Sequence, residues 1–270
     1  MPDDSRDAGP HGHAPKLVLV DLDGTLLNDE HEVSPRNAAA IERATAAGAR
    51  VVVATGRPVR LLEPIRESLG HTIALCYNGA VVYDLPTSSV IDAHLLDAAV
   101  FVHAVETVRA RGFEFIVAAE GMPDRGIRAE LGFREERDIP RGTVAEIAEG
   151  GVVKGLVIAG PESFAAIWEA FSTGFVGEIE VTRSGIEGLI EISAVGVSKG
   201  GVIAGLAEQW GLDASDAIAF GDMPNDLEMF RWAGRSVAMG NAEPEVKLAA
   251  TEVGADHNED AVAQILERWF

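Results

Sequence analysis

The sequence predicts an α/β fold, a doubly wound parallel sheet interrupted by a second, inserted α/β layer. Short aliphatic runs at residues 17–20, 51–54, 73–75 and 217–220 lack polar alternation, as strands buried on both faces do. Between the first three lie segments of helical period, 35–47 ending at Gly48 and 59–69 ending at Gly70, where glycine supplies the left-handed stop. This βαβα order builds parallel strands with helices on both faces. A different rhythm marks the insertion. It runs helix (97–111), strand (113–118), an irregular glycine-containing loop, helix (143–149), strand (152–158), helix (163–171) and strand (179–182). The first pattern resumes with a strand at 188–192, a helix at 199–210, the 217–220 strand, a helix at 227–232, a strand at 236–239 and a terminal helix from Asp260. The expected division is a tail at 1–15, a core at 16–84 and 190–270, and an inserted domain at 85–189.

Composition limits what such a fold can do. With 270 residues, 47% of them hydrophobic, the chain fills one large domain or two smaller ones. Lys plus Arg number 22 against 43 Asp plus Glu, a formal charge of −21. That balance repels polyanions, so nucleic acid and acidic membrane surfaces are not expected partners, and an anionic ligand needs a local positive site. No apolar run reaches the roughly 18 residues of a membrane-spanning helix. The opening MPDDSRDAGPHGHAP lacks the apolar stretch of a signal peptide and reads as a disordered tail, in which His11 and His13 make at most a weak metal site. Cys76 is the single cysteine, which rules out an internal disulfide and makes a reducing cytoplasm the expected compartment. Oligomeric state is left open, and a monomer is compatible with the sequence.

Four clusters of polar residues fall at strand ends or helix starts of the one predicted sheet. The first strand runs into Asp21-Leu22-Asp23-Gly24-Thr25, placing two carboxylates at the carboxyl edge, where open α/β sheets bind ligands. In an extended segment residues two apart face the same side, and Gly24 allows a sharp turn behind them. Like charges so close call for a cation or a shared proton. After the second strand, Thr55-Gly56-Arg57 offers a hydroxyl and an amide suited to phosphate oxygens, although such a sequence also serves as a plain turn. Lys199 opens a predicted helix, the end at which a cation is unfavourable for the helix itself, and this mismatch points to an anionic partner. The strand at 217–220 leads into Gly221-Asp222-Met223-Pro224-Asn225-Asp226, whose hard oxygen ligands suit Mg²⁺ and whose Asn225 or Asp226 could equally cap the next helix.

In this order, DxDGT, TGR, K and GDxxND, the sequence resembles the haloacid dehalogenase superfamily, and within it the Cof-type phosphatases with a class IIB α/β cap. Further likeness lies in Asn78-Gly79-Ala80, in Glu191-Ile192 followed by Gly196-Val197-Ser198-Lys199-Gly200, and in Met239-Gly240-Asn241-Ala242. The resemblance implies a Rossmann-like core with an inserted cap. It further implies a Mg²⁺-dependent hydrolase of small phosphate monoesters, such as sugar, cofactor or nucleotide phosphates, acting through an aspartyl-phosphate. Asp21 would be the nucleophile and Asp23 the general acid and base. Leu22, Thr55, Gly56, Lys199 and Asn225 would bind phosphate, while Asp21, the Asp23 carbonyl, Asp222 and Asp226 would hold the metal. A phosphomutase of the same fold and a non-catalytic phosphate-binding protein are the alternatives.

Substrate choice is the least determined feature. Arg125 and Arg128, in the loop between Ala119 and Arg137, are cations available to a polar leaving group, with the 183–188 turn as the next candidate. Arg57 and Asn78, beside the phosphate-binding residues, are the other two candidates. Cys76 reads as a packing residue, and the dispersed His31, His71, His94, His103 and His257 lack metal-ligand spacing.

Overall fold

The structure, a computed structural model, describes residues 12–70, 72–133, 138–183 and 187–270. Most of the expected tail, His71, and parts of the 119–137 loop and the 183–188 turn lie outside those residues. Within the described part of the tail, Gly12 accepts a 3.2 Å hydrogen bond from Trp269 Nε1.

The first elements are β1 (Leu17–Val20), α1 (Pro35–Ala46), β2 (Arg50–Ala54), the single-turn α2 (Arg66–Leu69), β3 (Ile73–Cys76), β4 (Val81–Asp84) and β5 (Ser89–Ala93). Next come α3 (Ala98–Arg109), β6 (Ile116–Glu120), β7 (Ile127–Ala129), α4 (Val144–Ala148), β8 (Lys154–Ile158), α5 (Phe164–Gly174), β9 (Glu180–Arg183) and β10 (Leu189–Ser193). The chain closes with α6 (Lys199–Gln209), β11 (Ala217–Gly221), α7 (Leu227–Trp232), β12 (Arg235–Ala238), α8 (Pro244–Ala249), β13 (Glu252–Val253) and α9 (Ala261–Leu266). Caps explain several starts: Ser34 accepts from Asn37 N ahead of α1, and Thr143 with Glu146 forms a reciprocal capping box at α4.

The expected helix at 59–69 does not form. It breaks into 3₁₀ turns at Val59–Leu61 and Glu63–Ile65, leaving only α2 helical. Pro64 is the physical reason, because inside a helix it removes a donor and its ring strikes the preceding turn. The loop expected to be irregular contains the short strand β7, whose Ile127 to Ala129 pair with β6.

Two compact units result, one formed by the residues up to Ile91 with Ser198–Phe270, the other by Asp92–Val197. This division falls at 91/92 and 197/198, beside the expected junctions near 84 and 190. β5 joins the first unit's sheet, and β10 pairs antiparallel with β8 and β9 in the second. The first unit carries an eight-stranded sheet in the order β13-β12-β11-β1-β2-β3-β4-β5, parallel from β13 to β3 and antiparallel at β4. Val20 stands beside both Val53 and Phe220. That register brings the ends of β1, β2 and β11 level, so the loops after them emerge along one edge. The second unit is an antiparallel sheet, β7-β6-β8-β10-β9, with a core of Phe101, Val105, Val117, Val157, Phe171, Ile190 and Ile192 on one face. Gly155 permits the close packing there, since a Cβ on it would stand 2.3 Å from the Phe101 ring.

Candidate active site

At the level edge of the first sheet, Asp21 follows β1 directly and is buried. Lys199, the first residue of α6, reaches it with Nζ 2.6 Å from Asp21 Oδ1, and the same Nζ lies 2.6 Å from Asp226 Oδ1. Ser198 caps the start of the helix through Gly201 N, and the lysine side chain serves the two carboxylates. Asp226 Oδ2 turns back to accept from the amides of Asp222 (3.0 Å) and Met223 (3.1 Å). Asp226 therefore fixes the loop behind β11 rather than capping α7. Asp222 Oδ1 accepts from Thr25 Oγ1 at 2.9 Å, a buried hydroxyl that the sequence reading quoted in its motif without giving it a role. Gly24, at φ +77°, allows the close approach, since a Cβ there would stand 2.4 Å from Asp222 Oδ2.

Charge in this cluster is out of balance. Among the described residues, Asp21, Asp222 and Asp226 each offer a carboxylate oxygen, all within 4.8 Å of one another, with one ammonium between them. Burial holds the Asp21 carboxyl well above its ordinary pKa, with Asp226 and Asp222 adding to the shift and Lys199 opposing it. Asp222 is pushed up to about 6 by burial and then by Asp226. Burial works against the Lys199 cation, but Asp21 and Asp226 outweigh it and keep the pKa above normal. Three buried carboxylates of hard oxygen sharing one lysine fit a divalent cation such as Mg²⁺, which would complete the charge.

Asp23 takes a separate course. Its side chain is half exposed and accepts from Arg57 Nε (2.8 Å at Oδ2) and Nη2 (2.5 Å at Oδ1), with His31 Nδ1 3.8 Å from Oδ1. The two carboxylates of the DxDGT segment therefore meet different partners, although both segments of backbone are extended there. Thr55 is buried, and its Oγ1 accepts from Arg57 N at 3.0 Å. Asn78, at φ +60° after Tyr77 at φ +53°, accepts from Asn225 Nδ2 at 3.2 Å, and its Oδ1 would stand 3.4 Å from a Cβ on Gly56. Leu22 is a core side chain, so only its main chain is available to a ligand.

The structure thus gathers Asp21, Lys199, Asp222 and Asp226 in one cluster, Asp23 with Arg57 in a second, and Asn78 with Asn225 in a third. Arg125 and Arg128 are engaged within the second unit. Arg128 Nη1 lies 3.9 Å from Glu149 Oε2, and the Arg125 guanidinium packs over Gly150. Sequence reasoning placed Arg57 with phosphate and missed its carboxylate partner, a pairing across 34 positions that no local signal announces.

Residues 18–266 match the family model described as haloacid dehalogenase-like hydrolase. Similar proteins include the 5-amino-6-(5-phospho-D-ribitylamino)uracil phosphatase YitU of Bacillus subtilis, 30% identical, over 95% of this chain and 98% of that one. The pyridoxal phosphate phosphatase YbhA of Escherichia coli is 27% identical over 93% of this chain and 97% of its own. A solved haloacid dehalogenase-like hydrolase from Bacteroides thetaiotaomicron superposes with a TM-score of 0.78 at 27% identity, covering 95% of this chain and 100% of that one.

Proposed function

The chain belongs to the haloacid dehalogenase-like hydrolases, and from that premise we propose that it hydrolyses phosphate monoesters of small metabolites through an Asp21 phospho-intermediate, with Mg²⁺ as cofactor. It is a phosphatase, as its relatives are. The observation that carries the reading is the Lys199 ammonium bridging Asp21 and Asp226 beside Asp222, in a buried cluster at the strand ends.

In the first half-reaction an Asp21 oxygen attacks phosphorus, the P–O bond to the leaving alcohol breaks, and Asp23 gives that oxygen its proton. Lys199 holds Asp21 in position and offsets the charge that gathers on the phosphoryl oxygens. The Thr55 hydroxyl, the Gly56 amide and Asn225 donate to those oxygens. In the second half-reaction Asp23 takes a proton from water, the water oxygen attacks phosphorus, and the bond to Asp21 breaks to release inorganic phosphate. Mg²⁺ held by Asp21, Asp222 and the Asp23 carbonyl would neutralise carboxylate charge and polarise the phosphoryl group. Because both Asp226 oxygens already have partners, its part is to orient Lys199 and the Asp222 loop.

The relatives above are named for phosphorylated small molecules, which supports a substrate of the same broad class for this chain. A reducing compartment such as the cytoplasm fits the buried thiol of Cys76, pushed up to about 12 by burial and so no nucleophile. Among the described residues no helix is long and apolar enough to cross a membrane. The test is a kinetic screen of phosphorylated metabolites with Mg²⁺, reading inorganic phosphate and sugar-phosphate isomerisation in parallel. Release of phosphate supports the reading, isomerisation without release makes the protein a mutase, and binding without turnover makes it a phosphate-binding protein.

A further inference from the structure

Asp23 must act at a fixed distance from the ester oxygen, yet its side chain is half exposed and belongs to a loop, where a carboxylate left alone samples several rotamers. The structure gives it one partner of the right shape. Arg57 offers Nε and Nη2 to its two oxygens in a parallel fork, the geometry in which a guanidinium fixes both the position and the plane of a carboxylate. Arg57 itself is anchored. Its amide donates to Thr55 Oγ1, its carbonyl accepts from Tyr77 N at 3.1 Å, and its side chain is 18% exposed against 48% for Asp23. The more rigid member of the pair therefore sets the place of the more mobile one. His31 Nδ1 closes the group at 3.5 Å from Arg57 Nη2, on a loop residue held at φ +60°.

We propose that Arg57 is a positioning residue for Asp23, clamping its carboxyl group for proton transfer to the leaving group and then from water, rather than a ligand of the substrate phosphate. This rests on the phosphatase reading above and goes beyond it by giving Arg57 a role that acts through another side chain. It accounts for an arginine immediately after the phosphate-binding Thr55-Gly56 pair whose guanidinium is spent on an aspartate. An ion pair this accessible adds little to global stability, so its effect belongs to the reaction and not to the fold.

The test uses Arg57→Ala and Arg57→Lys with p-nitrophenyl phosphate, whose leaving group departs with little protonation, and glycerol phosphate, whose alkoxide needs a proton. The ratio of kcat/KM for the alkyl ester to that for the aryl ester should fall by at least about tenfold in Arg57→Ala. The fall should be smaller in Arg57→Lys, be reversed in Arg57→Ala by added guanidinium ion, and vanish when Arg57→Ala is made in an Asp23→Asn background. Equal losses on both esters, or additive losses in the double variant, would overturn the proposal and return Arg57 to the phosphate. Should the wild-type chain turn over neither ester, the metabolite screen still decides the phosphatase reading, and crystal structures decide the clamp separately. An Asp23 side chain displaced in Arg57→Ala upholds it, and one left in place overturns it.

Discussion

Lys199 in the first unit and Lys154 in the second are both buried, and each holds a carboxylate at hydrogen-bond distance, 2.6 Å to Asp21 and 2.8 Å to Glu191. Their settings separate them. Lys199 sits where loops from three level strands and the start of a helix converge, among three carboxylates drawn within 4.8 Å. Lys154 lies within an antiparallel sheet, on β8, and Glu191 comes from the neighbouring β10. A buried ion pair alone is a structural element whose net contribution is often small, because desolvation offsets much of the attraction. The excess of carboxylate over cation is larger at Lys199, three buried carboxylates against one ammonium, than at Lys154, where the buried Glu120 stands across the strand pair. Such an excess is unstable until a proton or metal supplies the missing charge. The first arrangement suits chemistry, and the second suits holding strands together.

The largest expected effect sharpens that contrast directly. Asp21→Asn should lower kcat by more than about a thousandfold, roughly 4 kcal/mol of barrier, with little change in the unfolding midpoint. Residual activity within about tenfold of wild type would remove the nucleophile role. Lys154→Met should do the reverse. It leaves the part-buried Glu191 without its lysine and should cost about 3 kcal/mol of stability in urea unfolding, while kcat stays within about threefold. In the Lys154→Met/Glu191→Leu double variant most of that stability should return. A Lys154 variant that folds normally but loses kcat as Lys199→Met does would erase the distinction between the two sites.

A smaller effect follows from the titration of the cluster. Asp222 has its folded pKa raised to about 6, above the ordinary 3.8, so the folded protein holds a proton that the unfolded chain has released across that interval. Stability of the metal-free protein should therefore fall as pH rises from about 4 to about 6, by up to roughly 3 kcal/mol from this group. In the proposed reading Mg²⁺ would compete with that proton. Its stabilisation in a thermal melt should be slight at about pH 5 and pronounced at about pH 7.5, and it should be unaltered in profile by Lys154→Met. A Mg²⁺ effect independent of pH would place the metal elsewhere. The smallest effect is a control far from the cluster: Thr143→Ala removes the α4 capping box and should cost about 1 kcal/mol of stability with activity unchanged.

Much of this arrangement was legible in the chain because the chemistry sits where periodicity ends. Runs such as 17–20 and 217–220 declare buried strands, and carboxylates just past them can only lie at the sheet edge. Lys199 was visible as a cation at the wrong end of a helix, and its two carboxylate partners explain the anomaly. Other features depend on contacts distant in sequence. Ser89–Ala93 alternates too weakly to be read as a strand, and only the fold shows its membership in the core sheet. Residues near 190 have the apolar run of a buried strand in either sheet, and only pairing with β8 and β9 decides which. The 59–69 segment kept helical spacing while Pro64 forbade the helix, a conflict that weight on the proline would have resolved. Arg57 finding Asp23 required the fold itself.

The central claim is that Asp21 carries the phosphoryl group during turnover. Wild-type protein, quenched during steady-state hydrolysis of its best substrate with Mg²⁺ and reduced with borohydride, should yield a peptide in which Asp21 has become homoserine. Asp21→Asn under the same treatment should yield none. Rapid turnover with Asp21 unmodified, or reduction mapping to a different aspartate, would contradict the account.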